Sequence, residues 1–408
     1  MWLYNLCMVV YAALIRLVAP FYPKAQMWCA GRKGMYERMR SVIGECDNIV
    51  WIHVASLGDF EQGRPLVDYI KENYPDYKIL LTFFSPSGYE VRKNYKNADY
   101  VFYIPADTKR EVRQFLDIVQ PKVVIFVKYE FWLNMLVALR ERNIRTFLVS
   151  AIFRRNSIFF NPFGGIWRKA LGAFETLFVQ DERSKQLLAE IGVENVEVAG
   201  DTRFDRVVSI AESGEKIELI EQFKGDKRLF VAGSTWAPDE DILLPLINSN
   251  PDIKFVIAPH EMEEVRIEKL ISAIEGGAVR YTQLPKEGFE NRQVIILDTM
   301  GLLSRAYASA EWAYVGGGFG AGIHNTLEAA VYGLPVVFGV KYRKFKEACD
   351  LIALGCGRSV KSGQELQEWF DELKSDDDYL ARLSAIAKLY VGQHRGTTEK
   401  VVKTIFSK

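Results

Sequence analysis

Short apolar runs alternate with amphipathic helical stretches along almost the whole chain, and this alternation leaves few folds open. NIVWIHV from Asn48, KILLTFF from Lys78, VVIFV from Val123 and RTFLVS from Arg145 read as buried strands. LFVAG from Leu229, KFVIA from Lys254, VIIL from Val294, WAYVG from Trp312 and PVVF from Pro335 repeat the pattern. Helical periodicity fills the intervals, as in Pro65 to Tyr74, Lys109 to Ile118 and Trp132 to Arg142. Strands that are apolar on both faces belong to parallel sheets covered by helices on each side, so the class is α/β. The polar, strand-free stretch from Ser209 to Asp226 reads as the link between two Rossmann-like, doubly wound halves facing a cleft. The expected organisation is a helix over 1–20, a first domain over 21–208 and a second over 209–408. In such sheets ligands sit at the carboxyl ends of the strands, so functional residues are expected in the loops that follow them.

The first twenty residues, MWLYNLCMVVYAALIRLVAP, are apolar except for Asn5 and Arg16. A bilayer-spanning helix needs about 20 apolar residues, so this stretch is borderline. A basic leader and an A-x-A cleavage site are missing, which disfavours a signal peptide. A buried core helix is the plain alternative. The favoured reading is a membrane-associated helix with Trp2 and Tyr4 as interfacial aromatics. Arg16, Lys24, Arg32, Lys33, Arg38 and Arg40 flank it, which suits an anionic membrane surface and places the remaining chain on the cytoplasmic side. Elsewhere the composition is bland. The 52 basic residues balance 52 acidic ones, so nothing supports a nucleic-acid partner. The five cysteines, Cys7, Cys29, Cys46, Cys349 and Cys356, form no C-x-x-C pair, and the four histidines are scattered. Neither a disulfide framework nor a metal site is expected.

Three strand-ending loops carry residues suited to chemistry. In HVASLGDFEQGRP, from His53, the carboxylates of Asp59 and Glu61 lie beside small residues. Either is a candidate general base, although Asp59 also suits the cap of the next helix. In GGGFGAGIHNTLE, from Gly316, glycines permit backbone amides to face a phosphate at a helix start. The glycines do not match G-x-G-x-x-G, and no Gly-Lys pair exists for a Walker A loop. Asn325 and Glu328 share one helix face and suit the paired hydroxyls of a ribose. A glycine-rich turn with a capping Asn is the alternative. The loop GSTWAPDE, from Gly233, offers hydroxyls to a phosphate or merely caps its helix.

Together HVASLGDFEQGRP, FFSPSG, KYEFWLN, VAGDTRFDRV, VAGSTWAPDED, APHE and YVGGGFGAGIHNTLEAAVYGLPVVFG resemble the 3-deoxy-D-manno-octulosonic acid (Kdo) transferases of lipopolysaccharide assembly. The resemblance implies a GT-B glycosyltransferase that moves Kdo, with inversion, from CMP-Kdo to a lipid A precursor at the cytoplasmic face of the inner membrane. It implies no cofactor and no metal-bound diphosphate, since CMP leaves as a monophosphate. The family's base is the Glu of S-x-G-E. Asp59 stands there, one methylene shorter, with Glu61 as the second candidate. Lys128 replaces the first Glu of E-x-E-x-W-P-N and receives no role, whereas Glu130, Trp132 and Asn134 are kept and Leu133 replaces the proline. The resemblance assigns the donor to Gly316, Gly317, Gly318, Gly320, His324, Asn325 and Glu328, with Ser234, Thr235, His260 and Arg203 as contributors. It assigns the acceptor to Ser56, Gly58, Ser85, Ser87, Gly88 and Glu130. The competing readings are a GT-B enzyme using a UDP-sugar, a UDP-GlcNAc 2-epimerase, or a membrane-bound scaffold with a degenerate site.

Overall fold

Ile49–Val54 (β1) is buried at every position, the signature of a strand covered on both faces. In the computed structural model, which describes residues 1–44, 47–285 and 288–407, β1 lies inside a seven-stranded parallel sheet. Its companions are Lys78–Phe83 (β2), Tyr100–Tyr103 (β3), Val123–Val127 (β4), Arg145–Ala151 (β5), Thr176–Val179 (β6) and Val196–Val198 (β7). Their spatial order is β3-β2-β1-β4-β5-β6-β7, so the winding reverses between β1 and β4. There Val50 faces Val123 and His53 faces Phe126.

A second seven-stranded parallel sheet comprises Leu229–Thr235 (β8), Lys254–Pro259 (β9), Ala278–Arg280 (β10), Val294–Ile296 (β11), Trp312–Val315 (β12), Val336–Phe338 (β13) and Gly357–Ser359 (β14). Its order is β10-β11-β9-β8-β12-β13-β14, and the winding reverses between β8 and β12. All nine strands expected from sequence are present. The five others, β3, β6, β7, β10 and β14, have three or four residues each, and all but β6 lie at sheet edges.

The chain divides into two compact units, Met1–Arg206 with Gly396–Lys408 and, separately, Val207–Arg395. The final helix, Thr397–Phe406, was expected in the second domain but completes the first. Its Val401, Val402 and Ile405 pack against Val50, Ile52, Val54 and Leu66 on one face of the first sheet. Asp205 holds its start, accepting from the Gly396 amide at 2.5 Å and from the Thr398 amide and hydroxyl at 2.6 Å each. The expected polar link is helical, with Arg203–Glu212 and Glu218–Lys224.

Trp2–Val18 forms a helix, followed after a bend of 115° by the helix Pro23–Arg32, and no single described helix is long and apolar enough to cross a membrane. Trp2, Leu6, Leu14, Leu17 and Phe21 are exposed. Tyr4, expected beside Trp2 at a membrane interface, turns inward instead. Residues two apart on a helix point to different sides. The Tyr4 hydroxyl donates to Asp107 Oδ2 at 2.5 Å, and Asp107 also accepts the amides of Asn134 and Met135 at 2.9 Å each. Arg32 likewise faces protein rather than solvent. Its guanidinium lies 3.8 Å from the Trp28 ring centre and donates to the carbonyls of Ile104, Trp28 and Phe84. Cys7, Cys29, Cys349 and Cys356 are free thiols, and Cys46 lies outside the described residues.

Candidate active site

In the first unit, the loops after β1 and β4 meet where the winding reverses. Ser56 takes an extended conformation and caps the helix Leu57–Asn73. Its hydroxyl accepts the Asp59 amide at 3.3 Å and donates to Asp59 Oδ2 at 2.6 Å. The cap is therefore Ser56, and the side chain of Asp59 is not needed for that task. Lys128, one residue beyond β4, reaches Asp59 Oδ1 with its ammonium at 3.1 Å. It adopts a left-handed backbone, φ 65°, which costs roughly 1–2 kcal/mol for a residue other than glycine. Gly58 leaves open space above this pair, since a Cβ there would meet nothing nearer than Ser56 Oγ at 3.8 Å.

Behind them lies a polar chain that sequence reasoning missed. His53 is fully buried, with Nε2 3.0 Å from Glu130 Oε2 and Nδ1 2.9 Å from Thr82 Oγ1. A carboxylate only accepts, so Nε2 carries the hydrogen. Trp132 Nε1 donates to the same Glu130 oxygen at 2.7 Å, and Trp51 Nε1 donates to Thr82 Oγ1 at 2.7 Å. Glu130, expected to meet the acceptor, thus already holds two protein donors. Glu61 lies two residues from Asp59 on the helix and is flanked by Arg92 and Arg206 at 3.7 and 3.6 Å. Ser85 caps the helix Pro86–Arg92 and bonds to the Ser87 hydroxyl at 2.9 Å. Gly88 answers to packing rather than to a ligand, because a Cβ there would lie 2.2 Å from the Phe83 ring. Arg203, expected with the donor, belongs to the first unit and is paired to Asp201, its Nε 2.9 Å from Oδ2.

In the second unit the loops after β8 and β12 meet at the other reversal. The glycines there serve close backbone approach: a Cβ on Gly316 would lie 2.2 Å from Ser234 O, and one on Gly318 2.5 Å from Gly339 Cα. The expectation that the loop amides face a phosphate is narrowed by their internal bonds. The amides of Gly316, Gly317, Gly320, Gly322, Ile323 and His324 all bond within the protein. The helix that follows, Leu327–Ala330, is a single turn, and so few aligned peptides give little macrodipole. Asp239, which sequence reasoning passed over, ties the two loops together. It accepts from the Trp236 and Gly317 amides at 2.9 Å each and from the Tyr314 hydroxyl at 2.7 Å. Burial nevertheless raises its pKa above the usual carboxylate value.

Thr235 is also withdrawn from ligand contact. It is fully buried and donates to Glu240 Oε1 at 2.8 Å, inside an ion pair with Arg266. Ser234 stands beside it in a left-handed conformation, φ 54°. His260 stacks on both Trp236 and His324, with ring centres 4.7 and 4.3 Å away and planes 29° apart in both pairs. Trp236 Nε1 donates to His324 Nε2 at 3.2 Å. Burial, and then the neighbouring His260, bring the His324 pKa down to about 4, and burial lowers that of His260 too. Near neutral pH the stack is uncharged and suits a flat, neutral partner. Asn325 and Glu328 meet as expected, Nδ2 to Oε1 at 3.1 Å, with Ser304 donating to Glu328 Oε2 at 2.7 Å. A cation missed from sequence, Lys341, donates to Gly320 O at 2.7 Å beside the glycine loop.

Residues 29–206 match the family described as 3-deoxy-D-manno-octulosonic-acid transferase (kdotransferase), which takes in most of the first unit. A 3-deoxy-D-manno-octulosonic acid transferase of Haemophilus influenzae is 26% identical over 97% of this chain and 95% of its own. A bifunctional glycosyltransferase/methyltransferase of Fusobacterium nucleatum is 29% identical over 81% of this chain, which spans only 53% of that longer protein. Among solved structures, UDP-GlcNAc 2-epimerase from Neisseria meningitidis superposes with a TM-score of 0.63 at 19% identity, covering 88% of this chain and 100% of that one. That likeness concerns the fold, which is GT-B. The sequence matches span both units, and the chain is a glycosyltransferase similar to the Kdo transferases along most of its length.

Proposed function

We propose that the protein transfers Kdo from CMP-Kdo to a lipid A precursor, with inversion and with CMP-Kdo as its only cosubstrate. The observation that carries this reading is the Asp59 carboxylate, held at the winding reversal of the first sheet by Ser56 and Lys128. Asp59 takes the proton from an acceptor hydroxyl as that oxygen bonds to the anomeric carbon, and the bond to the CMP phosphate breaks with its electron pair. In the second unit the Trp236–His260–His324 stack offers a surface for the base, and Asn325 with Glu328 offers a donor–acceptor pair for the ribose. Lys341 offers positive charge for the phosphate.

The exposed apolar face of the first helix supports membrane-surface association, since patches of this kind are uncommon on monomeric soluble proteins. A concavity of ≈ 470 Å³ lined by Arg40, Lys109, Arg110 and Arg113, with Gln114 and Asp117, carries net positive charge that fits an anionic lipid surface at the cytoplasmic face. The test is incubation of the full chain with CMP-Kdo, generated in situ, and a tetra-acylated lipid A precursor, read by mass spectrometry. A mass gain of one or more Kdo units supports the proposal. Turnover of a UDP-sugar with none of CMP-Kdo defeats it.

A further inference from the structure

Asp59 is one methylene shorter than the glutamate the resemblance leads one to expect, and a short carboxylate that rotates freely makes a poor base. Each oxygen of Asp59 has one donor: the Ser56 hydroxyl on Oδ2 and the Lys128 ammonium on Oδ1. A carboxylate offers about four lone-pair positions, so these two bonds fix its orientation and leave acceptor capacity free for a substrate proton. Lys128 reaches this position through an unusual backbone. Of the five described non-glycine residues with positive φ, Gln120 and Asn143 lie at helix ends, where such conformations are common. Lys128 closes no helix. Its amide still donates to Val149 O at 2.9 Å, continuing the ladder from β4 to β5 while the backbone turns left-handed. Strain kept at a strand end beside a candidate base points to a role for the side chain it aims.

We propose that Lys128 is the positioning residue of the acceptor-activating carboxylate, clamping Asp59 together with Ser56 in the orientation that receives the proton. The inference rests on the function proposed above and names a residue for it. The clamp is assembled by topology, because the loops after β1 and β4 adjoin only where the winding reverses.

The test compares wild type with Lys128→Met, Lys128→Gly, Asp59→Asn and the Asp59→Asn/Lys128→Met double variant, measuring CMP release and Kdo transfer. Lys128→Met is expected to lower kcat by roughly 10- to 100-fold, with both KM values within about threefold of wild type. Lys128→Gly is expected to lose the same activity while its thermal midpoint stays level or rises, because glycine adopts positive φ without strain. A merely structural lysine would not part activity from stability in this way. On the Asp59→Asn background, Lys128→Met is expected to cause no further loss beyond about threefold. Wild-type rates in both Lys128 variants overturn the proposal. So does a full multiplicative loss in the double variant, which makes Lys128 a direct substrate contact. If Asp59→Asn keeps full activity, the base assignment falls and the clamp falls with it. A wild-type protein inactive on CMP-Kdo overturns the proposed function itself.

Discussion

The two units use the same architectural position for different chemistry. At the reversal of the first sheet the loops pair polar side chains: Asp59 with Lys128, and Glu130 with the buried His53. At the reversal of the second, the loop amides are mostly bonded internally, and what faces outward is a neutral ring stack and a preformed Asn–Glu pair. A parallel sheet thus fixes where a site forms but leaves its character to a few loop residues. On the function proposed above, the first unit moves a proton and the second holds a flat, polar molecule.

Asp59→Asn is the strongest way to break this contrast. It is expected to lower kcat by roughly 10²- to 10⁴-fold while the KM for CMP-Kdo stays near wild type. A KM effect of similar size would erase the division of labour. Glu328→Ala should do the reverse, raising the KM for CMP-Kdo by roughly 10- to 100-fold with kcat at saturating donor little changed, in line with the strength of hydrogen bonds to charged groups. Gly318→Ala tests whether the second loop is a packing device. The added Cβ would fall 2.5 Å from Gly339 Cα, so thermal unfolding should register a loss of about 1–3 kcal/mol.

The smallest effect is one of pH. His324 is depressed to about 4 from an unfolded value of 6.5, so between those values the unfolded chain binds more protons than the folded one. Stability from this group is complete above about pH 6.5 and is lost as pH falls towards 4. His324→Gln should flatten the fall in melting temperature over that window. An unchanged slope would mean that the stack does not exclude the proton.

What the sequence disclosed follows the range of each interaction. Asn325 and Glu328 were legible as partners because they lie three residues apart, although the helix starts only at Leu327 and they do not share a helix face as expected. The central strands were legible because both faces are apolar, whereas edge strands such as β7 and β14 are three residues long and partly exposed. The Lys128–Asp59 contact was not legible, and Lys128 was passed over. The contact between His53 and Glu130, 77 residues apart, was missed for the same reason, although Glu130 itself had been assigned to the acceptor. Such pairs exist only once strand order is known, and local spacing carries no trace of it. Thr235 failed in the opposite direction: its hydroxyl looked available until Glu240, five residues on, proved to accept from it in the interior.

The return of the helix Thr397–Phe406 to the first unit also has a consequence in time. During synthesis the first sheet is complete once residue 198 has emerged, yet one of its faces still lacks Val401, Val402 and Ile405. At about 5–20 residues per second, the roughly two hundred residues still to come take roughly 10–40 s to make. For that interval the nascent chain carries an apolar gap beside β1, the strand that leads to Asp59. The first unit to be made is therefore the last to be finished, and a ribosome stalled anywhere in the second unit holds an incompletely covered first one.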